Sequence, residues 1–186
     1  MYKSIVKPTL TLTLIAVIVG ALLALTYQLT GVGNASTGIA ADKLAEYQPT
    51  VLPSASKLVQ ANVTSETAGF LGAYVDEGGS GCAINISAKG YHGNDSLNLL
   101  IGFDKNGAIS GIYAISTQET PGVGTKATEP EYLKAYIGKT APVTVAKDGS
   151  GDIDAIANAT ISSNSVGDAV NQAFSIYEEL KGELGL

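Results

Sequence analysis

The sequence contains no arginine, one cysteine and one histidine. Each scarcity excludes something. With Cys82 alone, no intrachain disulfide can form, and a lone cysteine at strand-like spacing reads as a small buried hydrophobe. Without a Cys/His cluster there is no zinc centre. His92 sits in a loop with no partner motif, so no Ser or Thr hydroxyl has a recognisable base, and a hydrolase is disfavoured. Every basic residue is a lysine. Lys3 and Lys7 lie ahead of a long apolar run, leaving nine of the eleven lysines against seventeen carboxylates. An acidic chain of that kind lacks the basic footprint that nucleic acid requires.

That apolar run is the first feature present. Thr9 to Leu29 holds twenty-one residues without a charge, enough helix to cross about 30 Å of hydrocarbon. The positive charges flank only its N-terminal side, so residues 1–8 are expected in the cytoplasm and the remainder on the extracytoplasmic side. A cleaved signal peptide is the competing reading, with small residues at Gly33-Asn34-Ala35, although its apolar region is usually shorter. After the predicted transmembrane helix (9–29), residues 30–68 read as a linker and a short helix over Ile39–Tyr47 closed by Pro49 and Pro53. Residues 69–186 read as the functional domain. The class expected is α+β, an antiparallel sheet with packed helices.

Phe70–Val75, Cys82–Ile86, Leu97–Phe103 and Ala108–Ile115 show strand patterning, the last two joined by the Asp104-Lys105-Asn106-Gly107 turn. Gly90–Asn94 reads as a loop, Glu129–Ile137 as a short helix and Pro142–Lys147 as a strand. Val166, Ala169, Val170, Ala173, Ile176, Tyr177 and Leu180 form the apolar face of a final helix. Its N-cap is expected at Ser162, Ser163 or a Ser165-x-x-Asp168 capping box.

Two stretches carry the chemistry. Asp154 to Ser163 places Thr160, Ser162 and Ser163 where that helix begins, and uncapped N–H groups with the positive end of the helix dipole favour an anion such as phosphate. The ordinary reading of such a cluster is a helix cap. Gln118 to Lys126 is a Gly/Pro-rich loop, ordinarily a turn.

Together with the apolar segment, Val51-Leu52-Pro53, Lys89-Gly90-Tyr91 and the hairpin, the Glu119-Thr120-Pro121-Gly122-Val123-Gly124 loop and the Ala159-Thr160 motif resemble the G subunit of the Rnf ion-translocating electron-transport complex. The C subunit of the sodium-pumping NADH:quinone reductase shares this FMN-binding domain. The resemblance implies a membrane-anchored flavoprotein of a bacterial or archaeal cell membrane that carries electrons, with other Rnf-type membrane subunits and a flavin transferase as partners. It implies FMN esterified through its phosphate to Thr160, with Ala159 and Ser162 beside it. The flavin ring would lie against Glu119, Thr120, Gly122, Val123 and Gly124, near Lys147. Asp154, Ala159 and Thr160 match the family's Asp-x-x-Ser/Thr-Gly-Ala-Thr motif. Ala157 and Asn158 depart from it, although Asn tolerates the left-handed backbone that Gly would supply there. A C-type subunit and a flavin-free extracytoplasmic binding or scaffold domain are the alternatives.

Overall fold

The computed structural model describes Thr9, residues 12–22, Gly38–Thr140 and Pro142–Leu186. Of the expected membrane span, residues 12–22 are helical with exposed apolar side chains such as Leu12 and Leu14. Apart from Thr9, the rest of that span, and residues 30–37 of the linker, lie outside the described residues. No helix among the described residues is long and apolar enough to cross a membrane.

Residues Gly38–Leu186 form a unit of their own. Its centre is a five-stranded antiparallel meander: β1 (Leu58–Gln60), β2 (Phe70–Asp76), β3 (Gly81–Gly90), β4 (Gly93–Asp104) and β5 (Ile109–Thr117), adjacent in chain order. The two-residue alternation of β3 and β4 sorts side chains to opposite faces. Cys82, Ile84, Ile86, Leu97, Leu99, Ile101 and Phe103 join one core, while Ala83 and Leu100 join the other with Tyr74. The last helix, α3 (Thr160–Leu180), lies on the first core and brings every residue of the predicted apolar stripe into it. Cys82 is fully buried, and burial pushes its thiol up to about 12, which leaves it inert as a nucleophile.

The other face is covered by α1 (Ala41–Val51). This corrects the expected end of that helix: Pro49 lies inside it. Proline forfeits a hydrogen bond there, but Leu44, Val51 and Leu52 are buried against the sheet and Tyr47 stacks on Tyr113 at 4.2 Å. Tertiary packing outweighs the local signal. The end of α1 sits so close to the sheet that a Cβ on Gly102 would run into the Val51 carbonyl, and one on Gly111 into the Thr50 carbonyl. These two glycines face each other across β4 and β5. Gly111→Ala is therefore expected to destabilise the domain by about 3 kcal/mol, the upper part of the overpacking range, measured by urea unfolding.

Four further expectations are revised. Residues 58–60, which showed no strand signal, form the edge strand β1 beside β2. The expected Gly90–Asn94 loop contracts to the Tyr91-His92 turn between β3 and β4. Pro142–Lys147 yields only β6 (Val145–Ala146), paired in parallel with β7 (Ile153–Asp154). The Glu129–Ile137 helix divides into α2 (Pro130–Leu133) and a 3₁₀ turn, Lys134–Tyr136. The hairpin holds as expected, with Gly107 at φ +81° and Asp104 Oδ1 accepting the Asn106 and Ala108 N–H groups.

The buried Asp76 at the end of β2 fastens the edge of the sheet. One oxygen accepts from the Ser56 N–H and hydroxyl and the Lys57 N–H; the other accepts from the Ser80 N–H and hydroxyl. Burial alone would raise its pKa, but these bonds outweigh it and hold the carboxyl well below the usual carboxylate range. A depressed folded-state pKa contributes stability above the unfolded value of about 3.9, and that stability fades as pH falls through the folded value. Asp76→Asn should lower Tm at pH 7 and flatten the fall in Tm expected of the wild type below about pH 4.

Candidate functional site

The start of α3 is set by one residue. Asn158 adopts φ +67°, the left-handed region that asparagine tolerates better than other side chains. The chain turns there, Ala159 becomes the N-cap, and Thr160 is the first helical residue. This replaces the expected serine caps. Ser162 and Ser163 are buried within the first turn, and Ser165 lies inside the helix with its hydroxyl on the Ile161 carbonyl. Ser163 Oγ accepts the Ile156 N–H and donates to the Ala159 carbonyl. No side chain caps the N-terminus of α3, so its first N–H groups keep the capacity to bind an anion.

Glu119 stands at the centre beneath this turn. Although carboxylates are rarely buried without partners, it is 2% exposed. One oxygen accepts the Tyr91 N–H at 2.8 Å and the other accepts the Ser162 hydroxyl. Two glycines make room for it. A Cβ on Gly90 would collide with Glu119 Oε1, and one on Gly124 would lie 2.8 Å from Oε2 and 2.7 Å from Ser162 Oγ. The carboxylate thus joins the β3–β4 turn, the Gln118–Gly124 loop and α3.

The loop then folds back on itself. Thr120 O accepts the Val123 and Thr125 N–H groups, and Thr125 Oγ1 accepts the Gly122 N–H at 2.9 Å. Gly122 has φ +72°, a left-handed position where a side chain would be strained. The chain continues into a 3₁₀ turn, Gly124–Thr128. Opposite, the β6–β7 pair sets Ala146 beside Asp154, so Lys147 and the Ala155–Thr160 segment arrive together. Thr144 supports that pair, because its N–H and hydroxyl bond to Asp152 and hold that carboxyl below its ordinary range.

Between these elements opens a cleft of about 460 Å³, lined by Tyr91, Thr120, Val123, Gly124, Lys147 and the Asn158–Ser162 segment. Of the residues expected at the site, Thr120, Val123, Gly124, Lys147, Ala159, Thr160 and Ser162 line it. Glu119 lies beneath it, and Gly122 supports the loop without facing in. Tyr91, Asn158 and Ile161 join them, with Tyr91 and Ile161 leaving 59% and 57% of their surface open. His92, which has no partner motif in the sequence, places Nε2 3.2 Å from Thr120 Oγ1. Only the adjacency of His92 to Lys89-Gly90-Tyr91 could have signalled it.

The cleft has the size of a cofactor site, within the usual ~300–1,000 Å³, and its lining includes an uncapped helix N-terminus, a lysine and apolar side chains. Such a lining is compatible with a phosphorylated, largely planar molecule. Residues 90–175 match the FMN-binding domain family, which spans the β3–β4 turn, the Glu119 loop and the Thr160 motif. The G subunit of the ion-translocating oxidoreductase complex from Shewanella piezotolerans is 31% identical over 147 residues, covering 69% of this chain and 68% of that protein. Its counterpart from Aliivibrio fischeri is 35% identical over 114 residues. That match takes in 56% of this chain, which spans about half the relative's length (53%). The fold is also that of NqrC from Shewanella oneidensis, with a TM-score of 0.51 at 18% identity over 68% of this chain and 69% of that one. The chain belongs to the FMN-binding domain family and, within it, to the G subunits of ion-translocating oxidoreductase complexes. FMN is its cofactor, and the lining of the cleft fits such a molecule: the helix N-terminus and Lys147 would answer a phosphate, and Val123, Ile161 and Tyr91 would offer apolar surface to a ring.

Proposed function

We propose that this protein is an electron-carrying subunit of an Rnf-type complex, with FMN attached by its phosphate to Thr160. A single observation carries the proposal: Thr160 opens the uncapped N-terminus of α3 directly into a cleft whose other wall is the Thr120–Gly124 loop. A phosphoester at Thr160 Oγ1 keeps a negative charge, and that charge would sit at the positive end of the helix dipole. Lys147 adds a cation to the same cleft. The isoalloxazine would extend between Val123 and Ile161, with the Thr120 hydroxyl able to hydrogen-bond its heteroatoms. FMN supplies the capacity to accept and pass on electrons; the protein holds it, orients it and sets its surroundings.

The partners are other membrane subunits of the complex and the flavin transferase that attaches the cofactor. The charge-free Thr9–Leu29 segment serves as a single membrane anchor, with the N-terminus in the cytoplasm and the FMN domain on the extracytoplasmic side. The related C-type subunit has less support, since NqrC from Shewanella oneidensis shares the fold at 18% identity.

The test is in-gel flavin fluorescence after denaturing electrophoresis of the full chain co-expressed with a flavin transferase. A fluorescent band at the protein's position supports covalent attachment, and a dark band beside a colourless preparation opposes it. A companion prediction concerns Ala157, whose side chain is exposed and lies off the cleft wall. A hydroxyl there would be met by the transferase rather than by the fold. Ala157→Ser is expected to raise the flavinylated fraction when transferase is limiting, with stability changed by less than about 0.5 kcal/mol. Absorbance per mole of protein measures the first, and urea unfolding the second.

A further inference from the structure

The Tyr91-His92 turn is held at three points. The Tyr91 N–H is fixed by Glu119 Oε1, Gly90 is pressed against that same carboxylate, and the Tyr91 and His92 rings meet edge-on at 5.1 Å, 86° apart. The imidazole is thereby presented to the Thr120 hydroxyl, 28 residues away in sequence, with Nε2 and Oγ1 3.2 Å apart. Thr120 in turn lines the cleft.

A hydroxyl carries one donor hydrogen and can accept as well, so its partner on one side decides what it offers on the other. When the imidazole donates Nε2–H to Thr120 Oγ1, the threonine hydrogen is free to point into the cleft. When Nε2 is unprotonated, it can take that hydrogen, and Thr120 offers only lone pairs. An imidazole exchanges these roles as it gains or loses a proton, in the range of about pH 5–8. We propose that His92 is a positioning residue that sets whether Thr120 acts as a donor or an acceptor toward the cleft, and so tunes the cofactor held there.

The proposal rests on the FMN reading for its consequence, and on the His92–Thr120 contact alone for its geometry. A donor facing the ring favours the electron-rich reduced form; an acceptor favours the oxidised form. Charged groups on the surrounding elements are Glu119 beneath the turn, Lys147 on the cleft wall, Lys89 and Asp95 on β3 and β4, and Lys126 beyond the loop.

His92 is the sole histidine, so its imidazole nitrogens can be followed by NMR without ambiguity. In the full-length, flavin-free protein, Thr120→Val is expected to shift the tautomer balance of His92 toward that of a free imidazole. In the FMN-loaded protein, the midpoint potential of the wild type is expected to carry, beyond the slope that the flavin's own proton uptake gives, a further pH-dependent component between about pH 5 and 8. His92→Ala should lose that component. His92→Gln, which keeps a hydrogen-bonding partner for Thr120 but does not titrate, should restore thermal stability without restoring the pH dependence. In a Thr120→Val background, His92→Ala should have no further effect, as a double-mutant cycle requires. Superimposable potential–pH profiles for wild type and His92→Ala would overturn the proposal and leave the FMN reading intact. A tautomer balance indifferent to Thr120→Val would overturn it as well. A wild type that takes up no flavin would instead defeat the FMN reading and with it the tuning role, and the tautomer comparison would still report on the contact.

Discussion

Thr160→Ala is expected to reduce covalent flavin to background while leaving the protein folded. Thr160 is the first residue of α3, partly exposed, and its side chain does not serve as the cap. Alanine is the best helix former at an ordinary helical position. The substitution should therefore change stability by less than about 0.5 kcal/mol. Loss of fluorescence from a denatured band would then report the missing ester oxygen and not unfolding. Paired measurements of in-gel fluorescence and Tm on wild type and variant decide this. A yellow Thr160→Ala protein whose colour leaves with the denaturant would show that the cleft holds FMN without the ester. A denatured variant band as fluorescent as the wild type would place the attachment elsewhere.

The second large effect is on the fold of the site. Glu119→Ala should destabilise the domain by about 2–4 kcal/mol, because it strands the part-buried Tyr91 N–H and the buried Ser162 hydroxyl. Each unsatisfied buried group costs about 1–3 kcal/mol, and bonds to a charged acceptor are the stronger kind. Against a total stability of about 5–15 kcal/mol, that is a substantial share. Glu119→Gln keeps one oxygen acceptor but turns an NH₂ toward a donor, and should lie between the two. Urea unfolding of the three proteins measures the order. A Glu119→Ala protein as stable as the wild type would mean that the carboxylate does not join the turn, the loop and the helix.

What could be read from the sequence depended on how many residues shared each signal. The face of α3 was legible because Val166, Ala169, Val170, Ala173, Ile176, Tyr177 and Leu180 repeat at one helical period, and all seven are buried. The β4–β5 hairpin was legible because its turn combines an aspartate with a left-handed glycine. The edge strand Leu58–Gln60 was not, since three residues carry no periodicity and its pairing comes from β2. The passage of α1 through Pro49 was hidden for a related reason, as the compensation lies in contacts with strands far along the chain.

The site divides in the same way. Its two halves, the Glu119 loop and the Thr160 turn, were each visible, and so was the left-handed Asn158, which the backbone confirms. The direction in which Glu119 points was not visible. A carboxylate in a Gly-rich loop suggests an exposed group, whereas a slot between Gly90 and Gly124 takes it inward. His92 was invisible as a member of the site because its neighbour there, Thr120, lies on a different element. Contacts between elements are not written in local spacing.

The most direct test of flavin attachment is peptide mass analysis of the full chain after co-expression with a flavin transferase. The expected result is that the peptide containing Thr160 is heavier by one FMN less one water, the mass of a phosphoester formed by condensation at Oγ1. An unmodified Thr160 peptide from a colourless protein would contradict the attachment.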